Sequence, residues 1–257
     1  MSPSQKLPLV TRTGTSTATT VRVRGRDLVN DLIGKHSFTE MLYFLTCDRM
    51  PDAVETRLLD ACLVTLMEHG LTPSAVVARL MADSVPEEPQ VAIAAGLLAI
   101  GSVYAGTTET CAALLLDLDA RIQSGEQDAA AAVARDYAQA KRPVPGFGHG
   151  THKPDDPRTA RLFQLADDAR GASRPVALLR SLGQQVDAAF GRHITINATG
   201  AIAAVLSDCG VPSEIARGFG LIARCAGLVG HLYEEQQKPA MRAIWEAAEK
   251  AVPYEAK

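Results

Sequence analysis

Apolar residues recur at helical spacing along nearly the whole chain. Proline and glycine divide it into segments of helical length at 37–48, 54–69, 73–84, 89–105, 107–123, 126–141, 156–169, 173–188, 195–209, 211–232 and 238–251. Segment 54–69 repeats Leu58, Leu59, Cys62, Leu63 and Leu66, and segment 107–123 carries Cys111, Leu114, Leu115 and Leu118 on one stripe. Segment 195–209 is apolar nearly all round, the signature of a helix running through a core. Strand-like alternation is confined to Thr20–Val21–Arg22–Val23–Arg24. The pattern predicts an all-α protein of about ten helices, with approximately 126–190 forming a small lobe and the remainder a large one.

Composition narrows the class. The 257 residues are 47% hydrophobic and 21% charged, enough for one substantial core. Lysine and arginine number 26 against 29 acids, so the net charge of -3 favours neither nucleic acid nor an anionic membrane as a partner. No apolar run approaches the roughly 18 residues that span a bilayer, and no signal-peptide core is present, so a cytoplasmic location is expected. Cys47, Cys62, Cys111, Cys209 and Cys225 show no CxxC spacing and lie in apolar surroundings, which reads as reduced thiols.

Chemistry concentrates in one loop. Gly146, Gly148 and Gly150 alternate with Phe147 and His149, flanked by Lys141, Arg142, Lys153 and Arg158. Glycine permits close backbone approach, successive amides can cradle oxygens, and basic flanks suit a phosphate-bearing ligand. The loop follows a helix rather than a strand, so it is not a dinucleotide fingerprint. Asp155 or Asp156 is expected to cap the next helix, with Pro157 in its first turn. His149 and His152 could ligate a metal with Asp155 and Asp156, but His-x-x-His in a glycine loop is not the i, i+4 pairing of helical sites, and no metal is expected. His69 ends an apolar helix before Gly70, where it could simply complement the helix C-terminus. Arg224, Leu228, His231 and Glu235 share one helix face, and a cation on that apolar stretch calls for an internal acid or a carboxylate ligand.

The phrase Val144–Pro145–Gly146–Phe147–Gly148–His149, followed by Lys153 and Asp156–Pro157–Arg158, resembles the central motif of the citrate synthase superfamily. Arg24–Gly25–Arg26–Asp27–Leu28, Glu68–His69–Gly70 and Ile222–Ala223–Arg224–Cys225–Ala226–Gly227, with His231 and Glu234–Glu235, follow in the family order. The length is similar to the short citryl-CoA lyase branch, also found as the C-terminal module of ATP-citrate lyase. The resemblance implies an all-helical homodimer that binds coenzyme A and an oxaloacetate-like oxo-acid between its lobes. It implies no permanently bound cofactor, the CoA thioester (acetyl-CoA or citryl-CoA) being substrate. Carried over, Val144, Pro145, Gly146, Phe147 and Gly148 would hold the CoA end, with Lys153 and Arg142 near its phosphates. His69 and His149 would bond the oxygen on the carbon where the carbon–carbon bond forms or breaks. Arg158 and Arg224 would grip carboxylates, and Lys238 stands where the family often has an arginine reaching into the neighbouring subunit.

Two departures stand out. The synthase histidine that polarises the thioester carbonyl corresponds to Tyr104, as in the lyase branch, and the family's proton-moving aspartate corresponds to Thr199 in Asn197–Ala198–Thr199–Gly200. A threonine hydroxyl cannot replace a general base, a group typically worth ~10²–10⁴ in rate. Cleavage of citryl-CoA survives that loss better than condensation, because it starts from a hydroxyl proton that a histidine can take. The expected function is therefore a citryl-CoA lyase-like reaction. The alternatives are an enzyme acting on another 3-hydroxyacyl-CoA and a non-catalytic CoA- and carboxylate-binding homologue.

Overall fold

The computed structural model describes residues 9–101, 106–171 and 173–255. They form two compact units, Met1–Arg57 and Leu58–Lys257. The first holds a small antiparallel sheet of β1 (Gly14–Ser16), β2 (Val21–Val23) and β3 (Arg26–Asp27), in that order. The alternation at Thr20–Arg24 thus marks β2, while β1 and β3 are too short to carry a period. Asp27 then accepts from Val29 N and Asn30 N, both at 2.9 Å, and opens a π-helical turn over Leu28–Leu32. Helix α1 (Phe38–Cys47) begins with a capping box, in which Ser37 bonds Glu40 N and Glu40 bonds Ser37 N.

Helix α2 (Ala53–Met67) leads into the second unit, which contains α3 (Pro73–Ser84), α4 (Pro89–Leu98), α5 (Thr107–Gln123), α6 (Ala129–Gln139), α7 (Pro157–Arg170), α8 (Arg174–Phe190), α9 (Ala198–Asp208), α10 (Ala216–Gln237) and α11 (Met241–Ala251). The all-α expectation is met. Proline at the first helical position starts α3, α4 and α7, where its missing N–H costs nothing. Two helices depart most from the pattern. Helix α4 ends at Leu98 because Ala99 N turns back to Gly96 O, and Gly101 follows. The segment expected from 211 first makes a 3-10 turn at Ser213–Ile215, after Pro212, and then runs to Gln237.

Helix α9 is the axis of this unit. Residues Gly200 to Leu206 are all buried, and the helix packs against α5, α7 and α8. Helices α3, α4 and α10 form a second layer around Ala75, Ala78, Ala92, Leu228 and Leu232. The end of α2 crosses α10 at Gly227, where a Cβ would stand only 1.8 Å from Met67 O. Only glycine allows that approach, and the approach fixes the chain just before His69. Cys62, Cys111 and Cys209 are buried, and all five cysteines are free thiols, as expected. Among the described residues no helix is long and apolar enough to cross a membrane.

Backbone cannot give way as a flexible side chain can, so Gly227→Ala should lower unfolding free energy by about 3 kcal/mol, the upper part of the usual overpacking range. Urea denaturation checks this, and a variant as stable as the parent would show that the crossing relaxes freely.

Candidate active site

The site grows from the C-terminal end of α2, the loop between α6 and α7, and the facing sides of α7 and α10. Glu68 accepts from Gly70 N and so shapes the turn that presents His69. On α10, His231 Nε2 lies 2.9 Å from Glu68 Oε2. Arg79, buried on α3, holds the other side of that ring: its Nε donates to His231 Nδ1 at 3.0 Å and its Nη1 to Glu235 Oε2 at 2.7 Å. Accepting at Nδ1 puts the His231 proton on Nε2, toward Glu68. Sequence reasoning passed over Arg79. Only its position on the face of α3 that meets α10 gives it this role.

The glycine loop is held down by a single antiparallel bridge. Phe147 pairs with Ile196, Gly148 N donates to Thr195 O at 2.7 Å, and Asn197 N donates to Gly146 O at 3.0 Å. Gly146 has φ +84°, and a Cβ on Gly200 would stand 2.5 Å from Gly146 O, so both positions require glycine. Val144 and Phe147 are buried. The amides of Phe147 and Gly148 bond inward, to Val144 O and Thr195 O, rather than forming an open cradle. What the loop presents outward is His149. Its Nδ1 accepts from both Thr151 N and His152 N at 3.0 Å, so its proton is on Nε2.

Asp156 caps α7 and is fully buried. It grips Arg158 in a fork, Nε to Oδ1 at 3.0 Å and Nη2 to Oδ2 at 2.8 Å, and also accepts from Arg158 N and Ala198 N at 3.1 Å each. The guanidinium is thus aimed at His149, whose Nε2 lies 3.4 Å from Arg158 Nη2. Both atoms carry hydrogens, and together they suit one oxygen accepting from the two. Arg224, 9% exposed at its side chain, has a carboxylate only at long range, Glu68 at 3.9 Å, and its buried Nη1 lacks a hydrogen-bond partner among the described residues.

Three imidazoles gather beside these cations. His69, His149 and His152 have ring centroids 4.5 to 5.6 Å apart, and His69 Nε2 is 3.1 Å from His152 Nε2. Burial first, then the charges of Arg158, His149, His152 and Arg224, push His69 below its ordinary 6.5. Burial, His152 and Arg158 lower His149 likewise, outweighing Asp156. Both are therefore neutral at neutral pH. Their ring nitrogens lie within 4.8 Å of one another, as metal ligands do. However, His149 faces outward with a protonated Nε2, and the guanidinium of Arg158 stands beside it. The donors fit an anion better than a cation.

The remaining expected residues divide. Thr199 donates to Asn197 Oδ1 at 2.6 Å and lies 2.6 Å from Thr107 Oγ1, so its hydroxyl belongs to the cap of α9. Arg142 stacks on Tyr137 at 4.9 Å, and Lys153 is exposed on the loop. Lys238 is exposed at the C-terminal cap of α10, roughly two turns or ~10 Å beyond His231. Tyr104 lies outside the described residues. Of the possible metal partners, Asp155 instead bonds His193, 3.1 Å away.

Residues 5–245 match the family model for the citrate synthase C-terminal domain. A citrate synthase of Synechocystis sp. is 28% identical over 206 residues, 77% of this chain and 49% of the relative. The chain thus spans about half the length of the curated relatives it matches. Among solved structures, the citryl-CoA lyase of Hydrogenobacter thermophilus is 30% identical with a TM-score of 0.81, covering 90% of this chain and 88% of that one. An ATP citrate lyase of Methanosaeta concilii, a D541A mutant in complex with (3S)-citryl-CoA, has a TM-score of 0.77 at 16% identity, covering 98% of this chain and 42% of that one.

The Asp156 carboxyl has a clear pH signature. Burial, the largest influence, would raise it, but the Arg158 hydrogen bonds and charge and the amides of Arg158 and Ala198 outweigh burial and hold it below 3.8. A carboxyl whose folded pKa is depressed stabilises above its unfolded value and loses that contribution as pH falls through the folded one. Asp156→Asn should therefore cost about 3 kcal/mol at pH 7 and progressively less below pH ~4, measured by denaturant unfolding at each pH. A cost that does not change with pH would contradict the pairing.

Proposed function

The chain belongs to the citrate synthase family, and from that premise we propose that it is a CoA-dependent carbon–carbon lyase that cleaves citryl-CoA to acetyl-CoA and oxaloacetate. One observation supports this reading above the rest: Arg158 and Arg224 both act on neutral His69, Arg158 also on neutral His149, and among the described residues Arg224 has no acid closer than Glu68 at 3.9 Å. Two like charges close enough to influence each other, Arg224 buried and Arg158 half-buried, favour a ligand with two carboxylates. The neutral, Nε2-protonated His149 and the Arg158 fork then suit the oxygen on the carbon between them. Coenzyme A enters as part of the substrate, along the loop 144–148, with Arg142 and Lys153 toward its phosphates.

The hydroxyl of Thr199 is bonded within the cap of α9, which supports cleavage over condensation. Condensation must start by removing a proton from a thioester methyl group, and no carboxylate stands at that position to do so. In cleavage the first proton comes from a hydroxyl, and neutral His69 provides for it.

Citryl-CoA cleavage, followed as oxaloacetate release through a coupled reduction, should be saturable for the wild type and fall by at least ~10²-fold in His149→Ala. Binding of CoA and oxaloacetate without turnover would replace this reading with a non-catalytic homologue. Binding of CoA with no affinity for oxaloacetate would point to a different 3-hydroxyacyl-CoA.

The same reading carries a homodimer, supported by apolar side chains exposed on helices, among them Val64, Leu116, Val229 and Tyr233. Sedimentation velocity at micromolar concentration should give a dimer. A monomer there would contradict it.

A further inference from the structure

His152 is the site residue that the function leaves unused. It comes from the loop between the glycines and α7, and its backbone N–H helps to fix the His149 tautomer. Its ring packs 4.5 Å from His149 and 5.3 Å from His69, centroid to centroid. Its Nε2 is 3.1 Å from His69 Nε2, so a single proton lies between the two nitrogens.

The tautomers divide the labour. His149 cannot accept a proton, because both backbone amides occupy its Nδ1 and its Nε2 is already protonated. Thr199 cannot act, since its hydroxyl is bonded to Asn197 and Thr107. His231 is held by Arg79 and Glu68. Asp156 is committed to Arg158 and the α7 and α9 amides. Arg158 and Arg224 are donors only. Among these described residues that leaves His69 and His152, a hydrogen-bonded pair of imidazoles that can hold one added proton between them.

We propose that His69 and His152 act as one proton carrier, taking the place of the carboxylate whose position Thr199 occupies. The proposal rests on the lyase reading. In cleavage, the pair takes the proton from the substrate hydroxyl, and the alkoxide electrons form the ketone as the carbon–carbon bond breaks. The bonding pair passes into the thioester enolate, and the stored proton goes to the enolate carbon to give the methyl group of acetyl-CoA. One proton enters and one leaves, so no further reactant is needed. After burial, the charges of Arg158 and Arg224 act on His69. His152 acts through His69 and is a positioning and proton-holding residue.

The test is citryl-CoA cleavage by His152→Asn as a function of pH. The expected result is a kcat lower by roughly 10²-fold with KM changed less than about threefold. The acid limb of the kcat profile should also move to higher pH, because removing the neighbouring imidazole relieves its charge on His69. A purely structural loop residue would alter KM or stability and leave that limb in place. Nitrogen NMR of the rings gives a second readout: the His69 titration should shift upward in His152→Asn, and an unchanged titration overturns the pairing. Wild-type cleavage with an equally active His152→Asn overturns the carrier while leaving the lyase reading standing. A wild type that does not cleave overturns both.

Discussion

Asp156 is the point on which the site depends. One buried carboxylate caps α7, accepts from the first amide of α9 and holds Arg158 in a two-pronged grip. The charge of Arg158 offsets the desolvation of Asp156, and the carboxylate in turn removes the rotational freedom of the guanidinium. Because α9 is buried from Gly200 to Leu206, this bond ties the start of α7 and the loop before it to a core helix. The Phe147–Ile196 bridge and the contact of Gly146 with Gly200 make a second tie between the same elements.

The electrostatics follow from that anchoring. Arg158 is neutralised on one side and still donates on the other, while Arg224 has only a distant acid. Burial first, and then the neighbouring charges, Arg158 among them, lower the proton affinity of His69 and His149. The site therefore combines fixed positive charge with neutral imidazoles, His69 and His149, at neutral pH. That combination can bind an anion and still accept a proton from it, which protonated histidines could not do.

Most of the helices were legible in the chain, because long amphipathic stretches punctuated by proline and glycine have one local solution. The Asp156 cap and the face shared by Arg224, Leu228, His231 and Glu235 were visible for the same reason. Less could be read where partners are distant in sequence. Arg79 meets His231 across 152 positions and His152 meets His69 across 83, and neither spacing leaves a local trace. The glycine loop illustrates the limit in another way. Its composition suggested open amides, but amides become committed only when the chain from Thr195 to Asn197 pairs with it. The strands β1 and β3 were missed because three residues or fewer cannot display a period of two.

Paired guanidiniums beside neutral imidazoles are proposed to select a dicarboxylic oxo-acid, and calorimetric titration with oxaloacetate and with pyruvate, on the wild type and on Arg224→Gln, tests that selection. Oxaloacetate should bind saturably, weakened at least about thirtyfold in Arg224→Gln, the change that about 2 kcal/mol produces, with no comparable affinity for pyruvate, which lacks the second carboxylate. Equal affinity for the two acids, or oxaloacetate binding indifferent to the loss of Arg224, would contradict it.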